Sequence, residues 1–197
     1  MQSLYYFIVK PLNDRYDNTR TVAGTDLIIN SGIEDHRFIS KKAVVVSTPA
    51  AYTTKINIGD ELYIHHNIFR RWYDQKGKER NSSTHFKDDL YFVAPEQIYM
   101  YNLKTHLDYC FVKPLKNQSV LENRKEQPNI GIVKYSNKSL EALGITPGTL
   151  ITFTPNSEFE FIIEGERLYC MKSNDIVIKY ERQGNEKEYN PSWAQSG

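Results

Sequence analysis

One six-residue pattern occurs twice in this chain. Phe7-Ile8-Val9-Lys10-Pro11-Leu12 opens the first half of the 197 residues, and Cys110-Phe111-Val112-Lys113-Pro114-Leu115 opens the second. Each is followed by a variable loop and then by a run rich in valine and isoleucine. A glycine-led strand comes next, Ile58-Gly59-Asp60-Glu61-Leu62-Tyr63-Ile64 in one half and Pro147-Gly148-Thr149-Leu150-Ile151-Thr152-Phe153 in the other. Each half closes on an apolar strand and a turn, Leu90 to Tyr101 and Leu168 to Tyr180. An offset of about 100 residues is too long for a solenoid repeat and points to tandem duplication of one small domain. The expected domains are 1–103 and 104–180. Residues 181–197 read as a flexible polar tail unless Trp193 docks.

The expected fold is all-β. Short apolar runs are separated by turn residues in both halves, and 14 tyrosines and 9 phenylalanines favour strands. The pattern suggests a small closed or nearly closed barrel in each half. Gly59 and Gly148 mark tight turns that aim the following strand back across it. Only Ser139 to Leu143 reads as a helical turn. A domain of this size buries roughly 60–65% of its unfolded surface, so association into a larger assembly would help it.

Composition excludes several classes of function. With 25 basic and 24 acidic residues, no overall field draws nucleic acid or an acidic membrane. The longest apolar stretches are far short of the ~20 residues that span a bilayer. The start, Met-Gln-Ser-Leu-Tyr-Tyr, lacks the features of a signal peptide. Cys110 and Cys170 fall where Phe7 and Phe92 sit in the first half, so they read as buried, reduced thiols suited to the cytoplasm. His65, His66 and His85, near Asp60 and Asp88, are zinc-type residues, but adjacent histidines on a strand face opposite ways, and no metal is expected. There is no phosphate-cradling glycine loop, nucleophile elbow or recognisable carboxylate pair. Neither catalysis nor a cofactor is expected.

Two segments stand outside the strand pattern. Residues 13–41 lack a sustained apolar period and carry one apolar island, Leu27-Ile28-Ile29. Loops of this length are functional or disordered more often than not. Glycine and asparagine at Gly24, Asn30 and Gly32 argue against a long core strand there, the alternative reading. Residues 69–86 form an insert, turned into a hairpin at Gly77. From Phe69 to Lys87 it holds six basic and two acidic residues, with Trp72, Tyr73 and Phe86 interleaved. Arg70, Arg71, Trp72 and Tyr73 are its candidate partner contacts. The alternatives are a solvated hairpin with Trp72 packed at its base, and a surface for single-stranded nucleic acid.

Several segments together resemble the GroES-like co-chaperonins. Pro11-Leu12-Asn13-Asp14-Arg15 is similar to that family's Pro-Leu-x-Asp-Arg opening. Ile58 to Ile64 resembles its Val-Gly-Asp-x-Val-x-Phe strand. Gly165 to Val177 resembles its closing segment, and Leu90 to Ile98 is a weaker form of the same. The resemblance covers residues 6–180 in order and spacing. It implies two tandem GroES-like barrels and a ring-forming, non-enzymatic lid on a barrel-shaped chaperonin, seven-membered in the family. It also implies that residues 16–41 are a mobile loop whose Leu27, Ile28 and Ile29 dock on the chaperonin's apical domain, with no nucleotide of its own.

The chain departs from the family in three places. The connections Thr48 to Asn57 and Ser136 to Gly144 are too short for the family's roof hairpin. The insert is longer than usual and could replace that roof or contact a partner. The second loop, Lys116 to Pro128, has only Val120-Leu121 as an apolar pair, so the docking role is not carried to it. Two alternatives remain: a structural or interaction protein, for example part of a viral particle, and a single-strand nucleic-acid binder.

Overall fold

The computed structural model describes residues 3–17, 19–22, 25–28, 32, 35–117, 125–181, 184 and 186–196. The chain divides into two compact units, Met1–Leu103 and Lys104–Gly197. Both are built of antiparallel strands. The first contains β1 Phe7–Pro11, β2 Thr19–Val22, β3 Thr25–Ile28, β4 Lys42–Ser47, β5 Glu61–Ile64, β6 Arg71–Tyr73, β7 Glu79–Asn81, β8 His85–Lys87, β9 Leu90–Val93 and β10 Ile98–Tyr101. The second contains β11 Lys104–Thr105, β12 Tyr109–Lys116, β13 Glu126–Tyr135, α1 Lys138–Ala142, β14 Leu150–Phe153, β15 Phe159–Ile163, β16 Glu166–Lys172 and β17 Ile176–Tyr180.

The duplication is carried through to the level of single residue pairs. Neighbouring strands run β10-β5-β4-β1-β9-β8 in the first unit and β17-β14-β13-β12-β16-β15 in the second. Phe7 pairs with Val93 and Ile8 with Phe92; the matching pairs are Cys110 with Met171 and Phe111 with Cys170. On its other side β1 places Val9 against Val45, as β12 places Val112 against Val133. Both ladders shift register at the same step, between Ile8 and Val9 and between Phe111 and Val112. The repeated glycine turn is also shared. Gly59 and Gly148 adopt φ values of 91° and 92°, and their N–H groups donate to Val45 and Val133 carbonyls at 2.9 and 2.8 Å. A side chain at such a φ is strained, which explains glycine at both turns.

Each main sheet packs an apolar cluster against one face. Phe7, Val9, Val45, Leu62, Ile64, Phe69, Tyr91 and Val93 meet in the first. Cys110, Val112, Val133, Ile151, Phe153 and Met171 meet in the second. Both cysteines are free and buried. Burial, with Asp175 adding to it, pushes the Cys110 thiol up to about 12, so it stays protonated and unreactive at neutral pH.

Three expectations change. The sheets are open: among the described residues β8 is not laddered to β10, nor β15 to β17. In the first unit, strands are drawn off into two separate ribbons, β2–β3 and β6–β7. Twist and bulges bend the remaining sheet over its core without joining its ends. Second, residues 16–41 are not wholly irregular, since β2 and β3 form a ribbon there. Third, residues 186–196 of the expected flexible tail lie along the second unit. Leu115 bridges to Glu188, the Glu188 carboxylate meets the Lys113 ammonium at 2.7 Å, and Ala194 is buried. Pairing and ion contacts offset the ordering cost that polar composition alone suggested. Val120 and Leu121 of the second loop lie outside the described residues.

Gly131 gives a test of this packing. A Cβ there would lie 2.4 Å from the Val112 Cγ1 and 2.7 Å from the Lys113 carbonyl oxygen. Gly131→Ala should therefore destabilise the second unit by about 1–3 kcal/mol. Hydrogen exchange should speed in β12 and β13 while β1 and β4 keep their protection.

Candidate functional site

The loop of residues 16–41 leaves the sheet where β1 ends and returns at β4. Its root is closed by main-chain bonds. Asp17 N–H donates to the Phe38 carbonyl at 2.8 Å, Ser40 N–H donates to the Arg15 carbonyl at 3.1 Å, and Tyr16 bridges to Ile39. Above the root, β2 and β3 pair Thr19 with Ile28, Arg20 with Leu27, Thr21 with Asp26 and Val22 with Thr25. Threonine and valine suit such a ribbon. Leu27 is 50% exposed, and β3 belongs to a separate two-stranded sheet, so this segment is not an added core strand. Ile28 is the last residue of β3, and Ile29 lies outside the described residues.

The insert forms the second ribbon. Arg71 pairs with Asn81, Trp72 with Arg80 and Tyr73 with Glu79, and Gly77 takes a φ of 72° at the turn. Asp74 organises that turn: its Oδ1 accepts from the Lys76 and Lys78 N–H groups at 3.0 and 2.9 Å, and its Oδ2 accepts from Arg80 Nε at 2.9 Å. Of the four candidate contacts, Arg70 is exposed and Arg71 is turned inward, its guanidinium 4.6 Å from the Tyr16 ring centre and 3.0 Å from Glu79. Trp72 and Tyr73 are 41% and 53% exposed, so Trp72 is not packed away at the base. As neighbours on a strand they project to opposite faces of the ribbon.

The two ribbons share a root, which sequence reasoning missed. Arg15 Nε donates to the Phe69 carbonyl at 2.6 Å, one terminal nitrogen donates to Asn81 Oδ1 at 2.7 Å, and the other donates to the Arg70 carbonyl at 3.1 Å. The Arg71 N–H donates to the Tyr16 hydroxyl at 3.0 Å. Arg15 also lies over the Tyr91 ring at 5.2 Å. Arg15 and Tyr16 thus tie the loop to the insert. The only sequence signal was the place of Arg15 in the Pro-Leu-x-Asp-Arg segment.

Three histidines gather beside this root. β5 ends at Ile64, and His65 caps a short 3-10 turn by accepting from the Asn67 N–H at 3.1 Å. The turn overrides strand alternation, correcting the expectation that the two side chains oppose each other. The His65 and His66 rings stack at 4.4 Å, and the His36 ring lies 5.7 Å from that of His66. His85 sits elsewhere, against Tyr91 and the Asp88 carbonyl. Among the described residues, no group of three or more His, Cys, Asp or Glu is placed to hold a metal ion. Among them, too, no helix is long and apolar enough to cross a membrane. Compared with models of protein families and with curated protein sequences, the chain matches none.

The histidine stack predicts an acid-sensitive loop root. Burial, reinforced by His65, Lys41, His36 and Arg70, holds His66 down from 6.5 to about 4. Between those values the folded protein binds fewer protons than the unfolded chain. The stabilisation is complete above pH 6.5 and is lost as pH falls towards 4. Hydrogen exchange at Ile39 and Ser40, corrected for intrinsic rate, should accelerate on going down through that window. His66→Gln should flatten the dependence. An unchanged profile in the variant would show that another group controls it.

Proposed function

We propose that this chain is a GroES-like co-chaperonin, built of two tandem open-sheet versions of one β-domain, that assembles into a ring and caps a chaperonin chamber. It acts by binding and performs no covalent chemistry. The observation that carries the reading is Leu27. A half-exposed leucine stands on a ribbon apart from the core sheet, in the loop that the family uses for docking. The shared register of the two units supports it by placing the family-like segments on matching strands of one duplicated frame.

Docking follows from ordinary energetics. Burying one large aliphatic side chain in a partner's groove stabilises by roughly 1.5–3 kcal/mol. Ordering the loop takes back part of that gain, so each contact is reversible. Several loops on one ring supply avidity. The partner's nucleotide state times the cycle, and this chain holds no cofactor. Such a lid acts in the cytoplasm, where its chaperonin is. Leu27, Ile28 and Ile29 form the anchor.

Ring assembly is supported by a contrast between the units. Tyr99 and Met100 of β10 are buried, whereas Val177 and Ile178, at the matching positions of β17, are 56% and 47% exposed. β17 is also an edge strand of its sheet. An exposed apolar edge strand is a template for pairing with another chain. Ile178→Asp should convert the assembly to protomers in sedimentation velocity with an unchanged far-ultraviolet spectrum. An assembly of unaltered size would remove β17 from the interface.

Docking itself is read by gel filtration with a bacterial-type chaperonin, with and without ADP. The wild type should co-elute only with nucleotide. Changing Leu27, Ile28 and Ile29 together to Asp should abolish co-elution while the fold persists. A triple variant that still docks, or a wild type that never does, overturns the reading.

A further inference from the structure

The insert ribbon carries more positive charge than its own structure uses. Its two acidic side chains are both occupied, Asp74 by Arg80 at 2.9 Å and Glu79 by Arg71 at 3.0 Å. Among the described residues, Arg70, Lys76, Lys78 and Lys87 are left without an ion pair. Lys76 and Lys78 flank the turn at the ribbon's tip, and both are exposed. Trp72 and Tyr73 bring exposed aromatic area lower down. A two-stranded ribbon with such short strands is marginal by itself. Here the Arg15 guanidinium holds its base, through Phe69, Arg70 and Asn81, to the root of the docking loop.

We infer that the 71–81 ribbon is a second prong of the docking surface, and that its Lys76–Lys78 tip meets an acidic face of the same protein partner that receives Leu27. The inference rests on the chaperonin-binding reading and adds a charged contact to it. A common root means that a partner engaging the loop finds the ribbon already oriented, with little further ordering to meet. Attraction between the lysine tip and carboxylates speeds encounter and fixes orientation, and it fades as salt rises. Single-stranded nucleic acid is the weaker fit. Stacking needs successive aromatic faces on one side, whereas Trp72 and Tyr73 project to opposite sides and Arg71 and Arg80 are already paired.

The test uses the full-length protein and a bacterial-type chaperonin with ADP, with affinity measured at low and high salt. Lys76→Glu combined with Lys78→Glu should weaken docking about tenfold at low salt, with the gap closing as salt is raised. Lys76→Gln with Lys78→Gln should fall between this variant and the wild type. Leu27→Asp should weaken docking at every salt concentration. If the Glu variant docks like the wild type while Leu27→Asp does not, the second prong is wrong and the docking reading stands. If the wild type itself fails to dock, both are wrong. Anisotropy with a thymidine 30-mer supplies the remaining arm. Salt-sensitive binding lost in the Glu variant, with chaperonin docking unchanged, would overturn the inference and make the ribbon a nucleic-acid surface.

Discussion

The main sheet of each unit is built around one inner strand, β1 in the first and β12 in the second, bonded along both of its sides. The peptide groups of such a strand have no water to turn to, so both neighbours must be in register. A slip by one residue would carry Phe7 and Val9 away from the core, and Cys110 and Val112 likewise. The loop inherits this precision. Leu12 N–H donates to the Lys42 carbonyl at 3.1 Å, and the Asp17 and Ser40 bonds continue the closure outward. The ribbon that carries Leu27 therefore starts from a fixed base.

The duplicated frame serves different ends in the two units. Tyr91 and Tyr169 occupy matching positions, opposite Val9 and Val112. Each lies beneath a guanidinium, Arg15 at 5.2 Å and Arg167 at 4.9 Å. The arginines come from different places in the chain. Arg15 belongs to the loop root and reaches out to the insert. Arg167 belongs to β16, binds Glu126 and Glu160 at 2.6 Å each, and lies 6.0 Å from the Trp193 ring centre. In the first unit the position supports a pair of ribbons, and in the second it anchors the end of the chain. Asn190 strengthens that anchor by accepting from the Arg167 N–H and donating to the Gly165 carbonyl, both at 3.0 Å.

Some of the candidate site is legible in the sequence. Leu27 was visible as part of an apolar island in a polar loop, and Gly77 marked the turn of the insert. What joins them was hidden. Arg15 and Tyr16 touch residues 54 to 66 positions away, and no local pattern encodes such a contact. The stacked histidines escape the strand pattern for a related reason, since alternation ends with β5 at Ile64 and the 3-10 turn that follows brings the two rings together. The β2–β3 ribbon escaped notice because four-residue strands of mixed polarity have too little period to register.

The main strands around the repeat and the duplication itself are thus written in local order: apolar alternation, a glycine turn and a repeated hexapeptide each act within a few residues. Tertiary structure alone decided that the sheets stay open, that the tail lies against the second unit, and that loop and insert rise from one root. Those outcomes depend on which distant groups satisfy one another's charges and hydrogen bonds, and that is settled only when the chain is folded.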